Sequence, residues 1–112
     1  MLVHNTACKP YEVGTYEELK AKSDPNDGLD IHHVPQKHPA GQVIDGYDYN
    51  TGPAIALPRN EHLDLAKFNQ KGIYTGSADD LITSNLLDLL DNTNTPQTSI
   101  DKLTELIDSK YR

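Results

Sequence analysis

The sequence predicts an α+β fold with a short strand, strand, helix unit in the middle of the chain and additional helices around it, two of them C-terminal. Leu29, Asp30, Ile31 and His32 alternate apolar and polar, the period of a half-buried strand. Pro53-Ala54-Ile55-Ala56-Leu57-Pro58 is a short apolar run bracketed by prolines, and a proline-flanked run suits an edge strand or a hairpin arm. In the last third, Leu81, Ile82, Leu86, Leu89 and Leu90, then Ile100, Leu103, Leu106 and Ile107, recur at three- and four-residue spacing. That is the stripe of a helix with one buried face.

Residues 1–8 show no periodicity and read as a lead-in. Thr15 offers a capping hydroxyl, and Glu17 and Glu18 place carboxylates in a first turn, which predicts a short helix to about Lys22. Ser23-Asp24-Pro25-Asn26-Asp27-Gly28 ends it with turn formers. The first central strand occupies 28–34 and stops at Pro35, which has no N–H for a ladder. Pro39, Gly41, Gly46 and Asn50 predict a long irregular connection over 36–51. After the second strand, 59–69 predicts a helix carrying Leu63, Leu65 and Phe68. Ser77 caps the next helix, 92–97 breaks it, and Thr98 or Ser99 opens the last. The expected organisation is a lead-in over 1–8 and one domain over 9–112, with a strand and helix core in 28–70 and a helical part in 77–112.

Composition bounds the function. A chain of 112 residues suits one domain with a modest core, assembled from Leu, Ile, Val and a few Tyr because Trp is absent. Cys8 is the single cysteine, so an internal disulfide and a cysteine-based zinc site are excluded. Apolar runs fall short of the ~20 residues that span a bilayer, and the start lacks the charged-then-apolar layout of a signal peptide, so no membrane partner is expected. A net charge of -7 argues against a broad phosphate-binding surface. The charge is unevenly spread, however. Residues 28–76 set Lys37, Arg59, Lys67 and Lys71 against Asp30, Asp45, Asp48, Glu61 and Asp64, whereas 77–112 carry seven acids against three bases.

The chemistry-bearing group is His32 and His33 on the first strand, with Asn60, Glu61 and His62 after the second. Phosphodiester hydrolysis needs a base for water and a cation for the phosphate charge, and neutral imidazole can act as base or as metal ligand. Adjacent strand residues face opposite ways, so a bend at His33 ahead of Pro35 is expected to let one histidine bind metal while the other addresses water. An isolated histidine in a chain of this size is usually an ordinary surface or core residue. His4 and His38 are read so, and Asp30 as either a carboxylate orienting a ligand histidine or a solvated strand residue. Arg59 would clamp a phosphate or pair with Glu61.

Tyr11-Glu12-Val13-Gly14-Thr15-Tyr16, the run from Gly28 through His32-His33-Val34-Pro35-Gln36, and Gly52-Pro53-Ala54-Ile55-Ala56-Leu57-Pro58 with His62 resemble a C-terminal toxin module of bacterial polymorphic toxins of the RHS, haemagglutinin and contact-dependent inhibition type. That module is similar to HNH (ββα-metal) nucleases, and the likeness runs from about Val3 to the last helix. It implies a metal-dependent endonuclease toxin acting on DNA in the target-cell cytoplasm, secreted or delivered by an upstream polypeptide and neutralised by a cognate immunity protein. It also implies His33 as general base, with His32 and His62 as metal ligands. Nuclease colicins carry a second helical histidine four residues after the first; that position here is Ala66, which leaves Asn60 or water to complete the site. The ion is divalent: zinc, nickel or manganese for a histidine-rich site, magnesium for a wetter one. Leu2-Val3-His4-Asn5-Thr6 resembles the tail of an intein-like Hint domain, so a processing domain is expected upstream. A metal-stabilised binding module without hydrolysis and an RNase toxin are the alternatives. An inhibitor is expected to be basic where it meets the acidic face of Asp79, Asp80, Asp88 and Asp91.

Overall fold

The computed structural model describes residues 7–68 and 71–112; the Hint-like run at 2–6 lies outside them. Among the described residues the order is β1 (Val13–Thr15), α1 (Tyr16–Lys22), β2 (Leu29–His33), α2 (Lys37–Val43), β3 (Pro53–Pro58), α3 (Arg59–His62), α4 (Ala78–Asn92) and α5 (Gln97–Tyr111). The chain is a mixed α+β fold. Its three strands form one antiparallel sheet in the order β1-β3-β2.

β3 is therefore the central strand and not an edge, one of the two placements its prolines suggested, while β2 lies at an edge. Both prolines sit at the ends of β3, where a missing N–H costs little. Every residue of β3 before Pro58 is buried, because helices cover both faces and a strand covered on both sides reads as a continuous apolar run. Ile55 and Leu57 pack with Val34, Ile82, Leu89, Leu103 and Ile107 in the cluster that includes α4 and α5. Ala54 and Ala56 face the other way, towards Leu19 of α1, Leu29 and Cys8. Small side chains on that face bring α1 close to the sheet.

α1 and α4 carry the predicted caps. Thr15 and Glu18 form a reciprocal capping box, and Ser77 and Asp80 form another. α5 begins at Gln97 after Pro96, ahead of the expected Thr98 or Ser99; the Ser99 hydroxyl instead donates to the Tyr11 carbonyl at 2.8 Å. Leu90, expected on the buried stripe of α4, is 42% exposed.

Two further expectations are overturned. The segment 36–51 is not wholly irregular, since α2 forms within it; Pro39 is its third residue, in the first turn where backbone N–H groups have no helical partner anyway. The helix expected over 59–69 stops at His62. Beyond it, side chains take the backbone groups that a helix would use: Ala66 N donates to Asp88, Phe68 N donates to Gln36 Oε1, and Gln36 Nε2 donates to the Ala66 carbonyl. Leu63 consequently points to solvent at 63% exposure. Asn69 lies outside the described residues.

Candidate functional site

β2 pairs His32 with Ile55 and His33 with Ala54 of β3. The strand stays regular through His33, so the expected bend is absent and the two imidazoles stand on opposite faces. The edge position of β2 still brings both to one place. An open cleft of about 360 Å³ is walled by Ile31, His32 and His33 of β2, His62, Tyr16 of α1, the stretch Gln36-Lys37-His38, and the stretch Leu65-Ala66-Lys67-Phe68.

His33 is buried and held from two sides. Its ring stacks on Tyr16, with centroids 4.4 Å apart and planes 17° apart, and its Nε2 lies 2.9 Å from the Tyr49 carbonyl oxygen. A carbonyl only accepts, so Nε2 carries the proton and Nδ1 keeps a lone pair. The loop presenting that carbonyl is fixed to the start of α1: Tyr16 N donates to Gly52 O and Glu17 N to Asn50 O, both at 2.9 Å. A Cβ at 52 would meet the Tyr47 hydroxyl at 2.8 Å, so any larger residue there obliges the Tyr47 side chain to shift.

On the opposite face of β2, Asp30 and His32 share the side towards α3. Arg59 N donates to Gly28 O, which fastens the start of α3 beside the start of β2. His62 Nδ1 then donates to Asp30 Oδ2 at 2.9 Å, and Arg59 Nε donates to Asp30 Oδ1 at 3.0 Å. The His62 ring sits 5.0 Å from that of His32, tilted by 57°. Asp30 thus holds the His62 ring and the Arg59 guanidinium rather than standing free in solvent.

Burial and charge fix the protonation states. Burial, together with the neighbouring His62 and His33, pushes the His32 imidazolium down to about 3. Burial also lowers His33; the Tyr49 carbonyl works against this, and the charges of Lys37 and His38 reinforce it. Burial raises the Asp30 carboxyl, but the bonds from His62 and Arg59 outweigh it and hold the group below its ordinary value. Both β2 imidazoles are neutral at pH 7, the form that takes a proton or binds a cation.

The cleft gathers His32, His33 and His62, and adds His38, Lys37 and Lys67. Among the described residues no carboxylate lines it, in a chain of net charge -7. Arg59 is not on its wall; it is half-exposed and engages Asp30 rather than Glu61. Asn60 lines a separate cavity with Glu61, Asp64 and Asp91, so it does not face the histidines there. Ala66 does line the cleft but lies beyond the end of α3, and the four-residue helical spacing from His62 does not apply to it. His38 escaped the sequence argument because its position depends on α2, which composition concealed. Glu61, grouped with the histidines from the sequence, is buried instead, accepting from the Tyr11 hydroxyl at 2.7 Å and from Asn94 N at 2.8 Å.

Among the described residues no group of three or more His, Cys, Asp and Glu side chains is disposed to hold a metal ion, and no helix is long and apolar enough to cross a membrane. No family model, no curated protein and no solved structure matches the chain.

Proposed function

We propose that the chain is a metal-dependent nuclease that hydrolyses phosphodiester bonds, with DNA as its substrate, and that it is the toxin part of a larger delivered polypeptide restrained by an immunity protein. The observation that carries this is the anchored His33 in a cleft free of carboxylate walls, beside a His32–His62 pair whose second member is oriented by Asp30. The antiparallel pair β2 and β3, joined through α2 and followed directly by α3, with histidines on β2 and on α3, supports a ββα-metal unit.

The donor set fits a divalent ion in part. With Nδ1 of His62 committed to Asp30, its Nε2 is the available ligand atom, and neutral His32 is the second. Two neutral imidazoles would hold a divalent ion that accepts nitrogen donors, as zinc, nickel and manganese do. When bound, such an ion neutralises charge on the scissile phosphate.

The residues of the chain supply the rest. His33 Nδ1 takes a proton from a water whose oxygen bonds to phosphorus; the P–O ester bond breaks and the departing oxygen takes a proton from solvent. The Tyr49 carbonyl and the Tyr16 ring hold the base in place and steady the imidazolium while it carries the proton. Lys37 and Lys67 attract the polyanion to a cleft whose described walls carry no acid. Arg59 acts through Asp30 as a positioning residue.

Incubation of the protein with plasmid DNA and, in parallel, tRNA, with magnesium, manganese, zinc or nickel, tests the reading. Cleavage of plasmid that chelator abolishes, and that falls by roughly 10²–10⁴ in His33→Ala, is expected. Cleavage of tRNA alone moves the substrate to RNA. Wild-type rates in His33→Ala, or no cleavage of either nucleic acid with any metal, overturns the assignment.

A further inference from the structure

A second cavity of about 470 Å³ adjoins the histidine cleft and shares two of its wall residues, Lys37 and His38. Its remaining walls are Gly41, Tyr47, Asp48 and Tyr49. Tyr49 is 51% exposed, in a chain whose aromatic content is 6%. The Lys37 ammonium stands 5.6 Å from the centroid of that ring. The backbone carbonyl of Tyr49 anchors the proposed base, so whatever lies on its ring lies one residue from the reacting centre.

We propose that this second cavity is the subsite for the nucleotide next to the cleaved bond, with its base stacked on Tyr49 and the phosphate between the two cavities held by Lys37. The inference rests on the nuclease reading and assigns part of its substrate contact. An exposed aromatic beside a cation is the pairing that binds unpaired nucleotides, because every base has a π-face and every linkage a negative charge. The Asp48 carboxylate on the same wall repels phosphate, which directs the phosphate to the Lys37 end and the base to the Tyr49 end. Gly41 adds no side chain to this wall. A base buried in a duplex cannot stack on a side chain, so the subsite takes single-stranded or locally opened nucleic acid.

Binding measured in chelator isolates this contact from cleavage. The probes are a fluorescent decathymidylate and an abasic decamer of the same length and charge. Wild-type protein should bind decathymidylate more tightly by roughly 5- to 150-fold, the range for a stacked base. Tyr49→Ala should erase that preference and Tyr49→Phe retain it. Equal binding of the two decamers by wild type, no binding of either, or a preference that survives Tyr49→Ala overturns the subsite. Any of these beside metal-dependent plasmid cleavage leaves the nuclease reading intact, whereas failure of that reading shows in the cleavage assay.

Discussion

Asp30 serves His62 and Arg59 with its two oxygens, and the state of the proposed metal pair depends on it. Asp30→Asn keeps the shape but removes the charge that holds His62 with Nδ1 protonated. Metal affinity by calorimetry should fall about 10- to 100-fold, the usual effect of losing an orienting partner; an unchanged affinity would remove His62 from the metal site. The pH dependence belongs to His33. Its folded pKa is depressed, first by burial and then by Lys37 and His38 against the pull of the Tyr49 carbonyl, and the base works only when neutral. Cleavage should therefore persist below the ordinary histidine value of about 6.5 and be lost only as pH falls through the lower folded pKa. Removing a neighbouring positive charge with Lys37→Gln makes the imidazolium easier to form, so the acid limb of the single-turnover rate should move to higher pH. A limb that stays in place assigns it to another group. The three histidines were legible because strand alternation and a following helix start place them. The Tyr49 carbonyl was not, because a backbone acceptor sixteen residues away leaves no trace in residue types.

At the level of elements, legibility followed length. α1 and α4 announce themselves through caps, α4 and α5 through periodic apolar residues, and the long helices appear within a residue or two of expectation. β1 spans three residues, too few for a period, and its partner in the sheet lies forty residues on. α3 ends early because competition for backbone groups beyond His62 is decided by Gln36 and Asp88, side chains distant in sequence. Gln36 thus holds the segment that forms one wall of the cleft. Gln36→Ala deletes its bonds to the Ala66 carbonyl and the Phe68 amide while leaving its own backbone bond to Asn85. Hydrogen exchange at the Phe68 amide should accelerate, and global stability should drop by only about 0.5–1.5 kcal/mol for each lost bond. Cleavage should weaken with the loosened wall. A Phe68 amide that exchanges at its original rate would show that other contacts fix the segment.

Across the whole molecule the charge divides by role: the cleft is basic and imidazole-rich, and the acids concentrate in 77–112. Much of the acidic face first assigned to a basic inhibitor has structural work. Asp79 pairs with Arg112 at 3.0 Å, Asp80 completes the capping box of α4, and Asp88 accepts from Ala66 N and Asn92. Reversing Asp79 and Asp80 would damage α4 as well as any interface. Asp91 is different. It is exposed near the C-terminal end of α4, where no basic residue offsets it, and a carboxylate there opposes the helix dipole. Exposed Asp64 lines the same cavity wall. A charge that costs stability and sits outside the cleft is suited to an encounter surface for the proposed immunity protein. Asp64→Lys with Asp91→Lys should slow association with that partner at low salt and flatten its salt dependence, with cleavage unchanged. Asp91→Lys alone should raise helix stability by about 0.3–1 kcal/mol, so slower association in a protein that melts no earlier cannot be ascribed to unfolding. If association rates at low and high salt match those of the unaltered chain, the inhibitor docks elsewhere, and the basic mouth of the histidine cleft becomes the surface to test next, with an acidic rather than a basic partner face.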